Sequence, residues 1–114
     1  MKKGWKVVRV GTDGDLYSSV VGFAEYKIGE FVKRKPGWGP LCAFDSLQSA
    51  RKYSKNHWFE QIYECEYVES SDLYVWEKGY KQDKVKIDDL PDGKVLADEI
   101  KLLKRVLKRE RKTK

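Results

Sequence analysis

The sequence predicts an α+β fold, in which a mostly antiparallel sheet of short strands packs on one central helix. Two observations support this prediction. Short β-branched and aromatic segments are separated by turn residues, and a single internal segment carries helical spacing. A chain of 114 residues predicts one domain. That length is sufficient to bury a core without disulfides or metals.

The first half of the chain predicts five short strands. Trp5–Val10 is β-branched, and Gly11–Asp15 contains an Asp-Gly dipeptide that favours a hairpin turn. Lys33–Pro40 is predicted to be a loop, because its two prolines and two glycines do not fit a central strand. The strands after the first are predicted over Leu16–Val21, Ala24–Ile28, Phe31–Val32 and Leu41–Phe44.

The central helix is predicted over Ser46–Lys55. Asp45 and Ser46 offer side-chain oxygens for an N-cap. Leu47, Ala50 and Tyr53 fall at helical spacing, so we expect this face to be buried against the sheet.

The strongest strand pattern lies in Phe59–Glu69. Gln61, Tyr63, Cys65 and Tyr67 alternate with Glu60, Glu64 and Glu66, which predicts one buried and one outward face. Leu73–Trp76 is predicted to be its hairpin partner, and Val85–Ile87 a further small strand.

The segment Lys94–Leu107 fits two structures. Ile100, Leu103, Val106 and Leu107 have helical spacing among good helix formers. Leu96, Asp98, Ile100 and Leu102 also alternate as in a strand. The favoured prediction is a strand over Lys94–Ala97 that passes into a C-terminal helix.

The net charge of +6 is concentrated at the C-terminus. Residues 101–114 contain eight basic residues and one acid, for a net charge of +7. Residues 1–100 contain 16 basic and 17 acidic residues, for a net charge of −1. The prediction is therefore a nearly neutral domain over 1–100 with a basic tail or helix over 101–114.

The basic tail is the main candidate binding site. Lysine and arginine neutralise phosphates and release counterions, which predicts contact with nucleic acid or an acidic protein. A solvated C-terminus explains the same charges, and the stripe of Ile100, Leu103, Val106 and Leu107 also suits docking on the domain, a second copy or an anionic membrane surface. The candidate tail residues are Lys104, Arg105, Lys108, Arg109, Arg111 and Lys112.

The loop before the fifth strand is a second candidate for partner binding. Trp38 lies between two glycines and follows Arg34 and Lys35, so an exposed ring beside cations would suit base stacking. The alternative is that Trp38 covers the sheet edge. For Tyr17, Phe44, Tyr63 and Tyr67 the core is preferred.

No catalytic residue, metal site or cofactor is predicted. His57 is the single histidine, and an interaction with helix-terminal carbonyls is preferred for it over general-base chemistry. Cys42 and Cys65 lie in apolar segments and are predicted to be buried thiols, with one disulfide as the alternative if their strands are neighbours. The glycine-containing turns lack the lysine and strand-to-helix context of a phosphate loop.

Composition also favours a cytoplasmic protein. No apolar stretch approaches a membrane span, and the first residues lack the apolar core of a signal peptide. Asparagine occurs once and glutamine three times, which is typical of a thermophile.

Five segments resemble short uncharacterised proteins encoded by phages and microbial genomes. The similarity covers most of residues 5–103 and carries no assigned chemistry. The segments are the Lys6–Ser18 hairpin, Tyr26–Glu30, Gly39–Leu47 with Ala50, the Ile62–Cys65 strand, and Pro91–Asp98. The strand-then-helix step also resembles small ADP-ribosyltransferase-like folds, although none of that family's catalytic positions matches this sequence.

Three functions follow as expectations. The first is a non-enzymatic interaction or accessory module, viral by resemblance, that contacts nucleic acid or an acidic partner through its basic C-terminal segment. The second is a small enzyme or nucleotide-binding domain, with a site between the sheet and Lys33–Pro40. The third is a homo-oligomeric structural protein that associates through the apolar stripe.

Overall fold

The computed structural model describes residues 1–18, 25–34, 39–54, 60–72, 74–75, 85–86 and 93–106. Within these ranges the chain forms nine strands and one helix. The elements are β1 (Lys2–Val10), β2 (Leu16–Ser18), β3 (Glu25–Tyr26), β4 (Phe31–Lys33), β5 (Leu41–Phe44), α1 (Leu47–Ser54), β6 (Glu60–Glu69), β7 (Tyr74–Val75), β8 (Val85–Lys86) and β9 (Lys94–Val106). These elements form a mostly antiparallel sheet with one short helix, which agrees with a sheet-rich α+β fold, but the helix is not the central element that the sequence predicted.

The sheet closes on itself through four antiparallel strands. β6 pairs with β1 along one edge and with β9 along the other. β5 pairs with β9 over its whole length and with β1 at one position, where Trp5 lies opposite Phe44. β1, β6, β9 and β5 therefore form a ring, which leaves fewer unpaired strand edges. β2 and β3 continue from β1, and β4 continues from β9.

The inside of this ring is the main core. Alternate residues of a strand point to opposite faces, so each strand contributes every second side chain. The alternation predicted for β6 is confirmed at Tyr63, Cys65 and Tyr67, which are all buried. Val8, Leu41, Ala97, Ile100 and Leu102 are further members of this cluster.

Helix α1 covers the outer face of the ring. Ser46 caps its first turn, because the Ser46 hydroxyl accepts a hydrogen bond of 3.1 Å from the backbone nitrogen of Ser49. Ala50 is fully buried and packs with Val7 and Phe44, while Tyr53 is partly buried against the same cluster. Leu47 is also only partly buried, so the expected apolar face is confirmed with Ala50 at its centre.

Two predictions of secondary structure are wrong. Lys94–Val106 is one continuous strand, so no helix follows Ala97 within these residues. Its backbone groups pair with three strands, and this tertiary pairing outweighs the helical propensity of the leucines and lysines. The segment predicted to be the hairpin partner of β6 instead pairs, as β7, with β8 in a separate two-stranded sheet.

The helical stripe predicted for oligomer formation does not exist in this strand. Ile100 is fully buried in the ring, while Leu103 and Val106 are partly buried. Leu107 lies outside the described residues. Strand β9 also crosses the predicted boundary between domain and tail, so the folded part extends to at least Val106.

The one helix among the described residues, α1, has eight residues and is too short to cross a membrane.

We predict that Gly4→Ala destabilises the ring where β1 meets β5. A β-carbon at Gly4 would lie 2.6 Å from the carbonyl oxygen of Phe44 and 3.0 Å from Cε1 of Tyr67. Overpacking of this kind costs about 1–3 kcal/mol. Urea unfolding followed by tryptophan fluorescence measures the loss, and Lys3→Ala at the exposed neighbouring position is the control. Equal midpoints for the two variants would contradict this packing.

Candidate functional site

The C-terminal end of β9 presents two of the predicted binding residues. Lys104 and Arg105 are both exposed. The β6–β9 register shifts so that Cys65 pairs with Leu102 and Glu64 with Lys104, which leaves Leu103 without a partner in this ladder. This β-bulge sets Lys104 opposite Glu64 and Arg105 opposite Tyr63.

The other predicted residues divide into two groups. Lys35, Trp38, Lys108, Arg109, Arg111 and Lys112 lie outside the described residues, as does His57. Arg34 is described, and it lies at the end of β4 on the other side of β9 from β6. Lys104 and Arg105 are therefore neighbours in β9 with side chains on opposite faces of the strand, and Arg34 lies in a different environment.

Arg34 ties three parts of the chain together. Its guanidinium donates hydrogen bonds to Asp72, to Asp98 at 3.0 Å and to the Ser70 hydroxyl at 3.5 Å. Its backbone nitrogen also donates to the Asp98 carbonyl oxygen at 2.9 Å. Asp98 is the extra residue at a second β-bulge, between the pairs Val68–Glu99 and Glu69–Ala97. The bulge therefore directs a carboxylate to Arg34.

The charge of Arg34 is stabilised within the fold. Partial burial lowers the pKa of its guanidinium, but the hydrogen bonds and charges of Asp72 and Asp98 raise that pKa overall. Two carboxylates on one guanidinium leave little net positive charge for a phosphate. Arg34 thus has a structural role in addition to any contact with a partner.

A lysine lies inside the ring, which the sequence analysis did not foresee. Lys6 is fully buried, and its Nζ atom donates a 2.7 Å hydrogen bond to the Cys42 carbonyl oxygen. It also lies 5.4 Å from the centre of the Tyr26 ring. Burial lowers its pKa to about 8. The ladder between β1 and β5 has one residue pair, Trp5 with Phe44. The hydrogen bond from Lys6 to Cys42 therefore adds a second link between these two strands.

A second buried lysine lies on the helix side of the ring. Lys94 starts β9 opposite Phe44, and its Nζ atom is 4.3 Å from the Phe44 ring centre and 5.1 Å from that of Tyr53. That atom is buried and makes no hydrogen bond with the described residues. Burial lowers the pKa of Lys94 to about 7. Cation–π contacts favour its charged form but do not replace water.

The tight approach of β9 to α1 explains the burial of Lys94. The Asp45 backbone nitrogen donates a 2.8 Å hydrogen bond to the Gly93 carbonyl oxygen. Gly93 has φ of +80°, and a β-carbon there would overlap the side chain of Ser49. The first residue after this glycine therefore enters the layer between the sheet and the helix.

The two cysteines are free and buried. β5 and β6 are not neighbours, since β1 and β9 lie between them in the ring. Burial raises the pKa of both thiols, that of Cys65 to about 12. The prediction of two buried thiols is confirmed. Within the described ranges, no three His, Cys, Asp or Glu side chains are grouped so that they could hold a metal ion.

The sequence carried little signal for the buried lysines. Lys6 alternates with Gly4 and Val8, so a consistent two-residue period places it on the inner face. Because lysine is almost never fully buried without a partner, composition alone would place Lys6 at the surface instead. Lys94 stands directly after a loop, where a charged side chain is ordinarily exposed.

Comparisons with known proteins give no significant match. No protein-family model matches the chain. Neither the curated proteins nor the solved structures contain a significant match.

We predict that Arg34→Met lowers the free energy of unfolding by about 1–2 kcal/mol, because it leaves two facing carboxylates without their cation. The Arg34 side chain is 22% exposed, so salt partly screens the interaction and the loss is smaller at high salt. Chemical unfolding at low and high salt measures both effects. Lys33→Met, which removes an exposed charge from the same strand, is the control and should change stability little. The same loss in both variants would exclude the ion-pair explanation.

We also predict that stability rises from pH 6.5 to about 9. The pKa values of Lys94 and Lys6 in the folded chain are about 7 and about 8, below the ordinary 10.5, so the unfolded chain binds more protons over this range. Each group adds up to about 1.4 kcal/mol per pH unit. Above about pH 9 the Cys65 thiol opposes the rise, because burial raises its pKa and the unfolded chain releases that proton first.

Lys94→Met should remove more than half of this rise, because Lys94 has the lower pKa of the two lysines. Unfolding free energies at several pH values measure the effect. Lys52→Met, at an exposed position of α1, is the matched control and should preserve the slope. An unchanged slope in Lys94→Met would show that the Lys94 amine is not desolvated.

Proposed function

We propose that this chain is a non-enzymatic binding module that contacts nucleic acid through its basic C-terminal segment, residues 101–114. The observation that carries the proposal is the exposed pair Lys104 and Arg105 at the end of β9. The chain continues from this strand into five further basic residues and one acid over 107–114. A rigid strand end thus presents the first cations of a strongly basic segment.

Three other cations of the described surface are paired with carboxylates, including Lys101 at the start of this segment. Lys2 contacts Glu69 at 2.9 Å, and Lys101 contacts Glu66 at 3.6 Å. Arg34 pairs with two aspartates. Since residues 1–100 carry a net charge of −1, long-range attraction of a polyanion must come from the C-terminal segment.

The chemistry favours contacts to the phosphate backbone. Lysine and arginine side chains release counterions when they neutralise phosphates, and this gain does not depend on base sequence. Binding of this kind weakens steeply with salt. An acidic protein surface would attract the same residues. Binding to an acidic polypeptide in preference to nucleic acid would therefore indicate a protein partner.

We predict that a variant with Lys108, Arg109, Arg111 and Lys112 changed to glutamine binds nucleic acid more weakly than the unchanged chain. Each lost phosphate contact should lower the slope of log K against log salt by about 0.9 for a duplex and about 0.7 for a single strand. Fluorescence anisotropy with a labelled duplex, a labelled single strand and poly-glutamate at several salt concentrations measures this. The substitutions spare Lys104 and Arg105, because both belong to β9 and pair with β6.

The matched control removes four exposed charges elsewhere: Lys3, Lys27, Lys33 and Lys52, each changed to glutamine. The net charge falls equally in the two variants, so a general effect of charge would weaken binding equally. Equal losses, or no binding by the unchanged chain, would refute the proposal. Preference for poly-glutamate over both nucleic acids would transfer it to an acidic protein partner.

A further inference from the structure

The turn between β3 and β4 presents two large apolar side chains to solvent. Ile28 is 55% exposed and Phe31 is 37% exposed. Among the described residues, Met1 is the only other large hydrophobic side chain that is exposed. Apolar residues scattered singly over a surface need no explanation, but two that flank one turn form a candidate contact surface.

This turn is tied to the sheet, so its apolar side chains are held in place. The backbone nitrogen of Glu30 donates a 3.2 Å hydrogen bond to the Lys27 carbonyl oxygen. Gly29, with φ of +86°, stands where a type II turn takes glycine. Its backbone nitrogen donates a 2.8 Å hydrogen bond to the Leu102 carbonyl oxygen, which anchors the turn on β9.

Phe31 lies on the outer face of β4, beside a cation of β9. Among the described strands, β4 ends the sheet on this side. Phe31 pairs with Lys101, whose Nζ atom lies over the aromatic ring at 5.0 Å from its centre. Lys101 also contacts Glu66 at 3.6 Å, so it is held from both sides. The cation lies on one side of the ring, and a second flat ring could stack on the other.

The β-bulge at Leu103 brings another cation to the same face. Lys101 and Lys104 are three residues apart, so an unbroken strand would direct them to opposite faces. The bulge makes their partners Glu66 and Glu64, which are two residues apart in β6. Both lysines therefore lie on the face that carries the aromatic ring. This face continues directly into the basic C-terminal segment.

We infer that this face binds single-stranded nucleic acid, with an unpaired base stacked on Phe31 beside Ile28 and neighbouring phosphates at Lys104 and the basic segment. The inference rests on the proposed function and narrows its ligand from nucleic acid in general to a single strand. Stacking of bases on aromatic side chains is the general way in which single strands are held. A duplex keeps its base faces stacked inside, so it can use the cations but not the ring.

A lipid surface is a poorer match to the same residues. Exposed apolar side chains near lysines also suit an anionic membrane. However, Glu30 stands between Ile28 and Phe31 in the chain and is itself exposed. Insertion of this turn into lipid would remove water from its carboxylate, which is costly. A base stacked on Phe31 leaves that carboxylate in water.

Fluorescence anisotropy with the full-length chain tests the inference. The labelled probes are oligothymidylate, a strand of equal length without bases, and a duplex. We expect oligothymidylate to bind at least about fivefold more tightly than the baseless strand, which is the lower end of the effect of one stacked base. Phe31→Leu keeps an apolar side chain but removes the flat ring. It should lose most of this preference and bind the duplex unchanged.

Tyr17→Leu is the matched control, because it removes a ring from β2, which pairs with β1 and β3 and not with β9. Equal binding of oligothymidylate and the baseless strand would overturn the inference, and so would equal losses in Phe31→Leu and Tyr17→Leu. Binding to phosphatidylserine–phosphatidylcholine vesicles that only Phe31→Leu abolishes, with its preference for bases intact, would overturn it in favour of lipid. Duplex binding that depends on the basic segment would leave the proposed function standing in each of these cases.

Discussion

The pairing of β9 with β6 is the constraint on which the rest of this structure depends. β9 is the longest strand, and it pairs with β6 on one edge and with β5 and β4 on the other. Since β6 also pairs with β1, and β5 meets β1 at Trp5, this double pairing closes the ring. The closure gives Ile100, Leu102 and Cys65 a common interior. A hydrogen-bonded ladder on both edges satisfies the backbone of a segment whose composition also suits a helix.

The two bulges in the β6–β9 ladder connect the fold with its charged groups. The bulge at Asp98 supplies a carboxylate to Arg34, and the bulge at Leu103 sets Lys104 beside Glu64. Bulges commonly redirect side chains in this way. The same ladder therefore pairs an arginine with a carboxylate near one end and carries two exposed cations near the other.

Much of the fold was predictable from local patterns, and the errors have a common cause. Strand β6 and helix α1 were predicted to within a residue or two at each described end, because alternation in one and an N-cap with helical spacing in the other are local signals. The end of β9 was mistaken for a helix because its apolar residues fit both periods, and only its distant partners decide between them. The partner of β7 is likewise not determined by its own sequence, and it pairs with β8 instead of with β6.

The candidate sites also differ in whether a local sequence pattern reveals them. The concentration of charge over residues 101–114 is visible in the composition alone, because it requires no knowledge of neighbours. The environments of Lys6 and Lys94 depend on strands brought together from distant parts of the chain, and no local pattern reports them. Both amines lie where β5 meets a partner strand: Lys6 belongs to β1 and donates to Cys42, and Lys94 belongs to β9 and lies opposite Phe44. At one of these places the amine donates to a carbonyl oxygen, which gives it a structural role. At the other it faces aromatic rings without an acceptor among the described residues, so the rings compensate only part of the desolvation of its charge, and burial lowers its pKa.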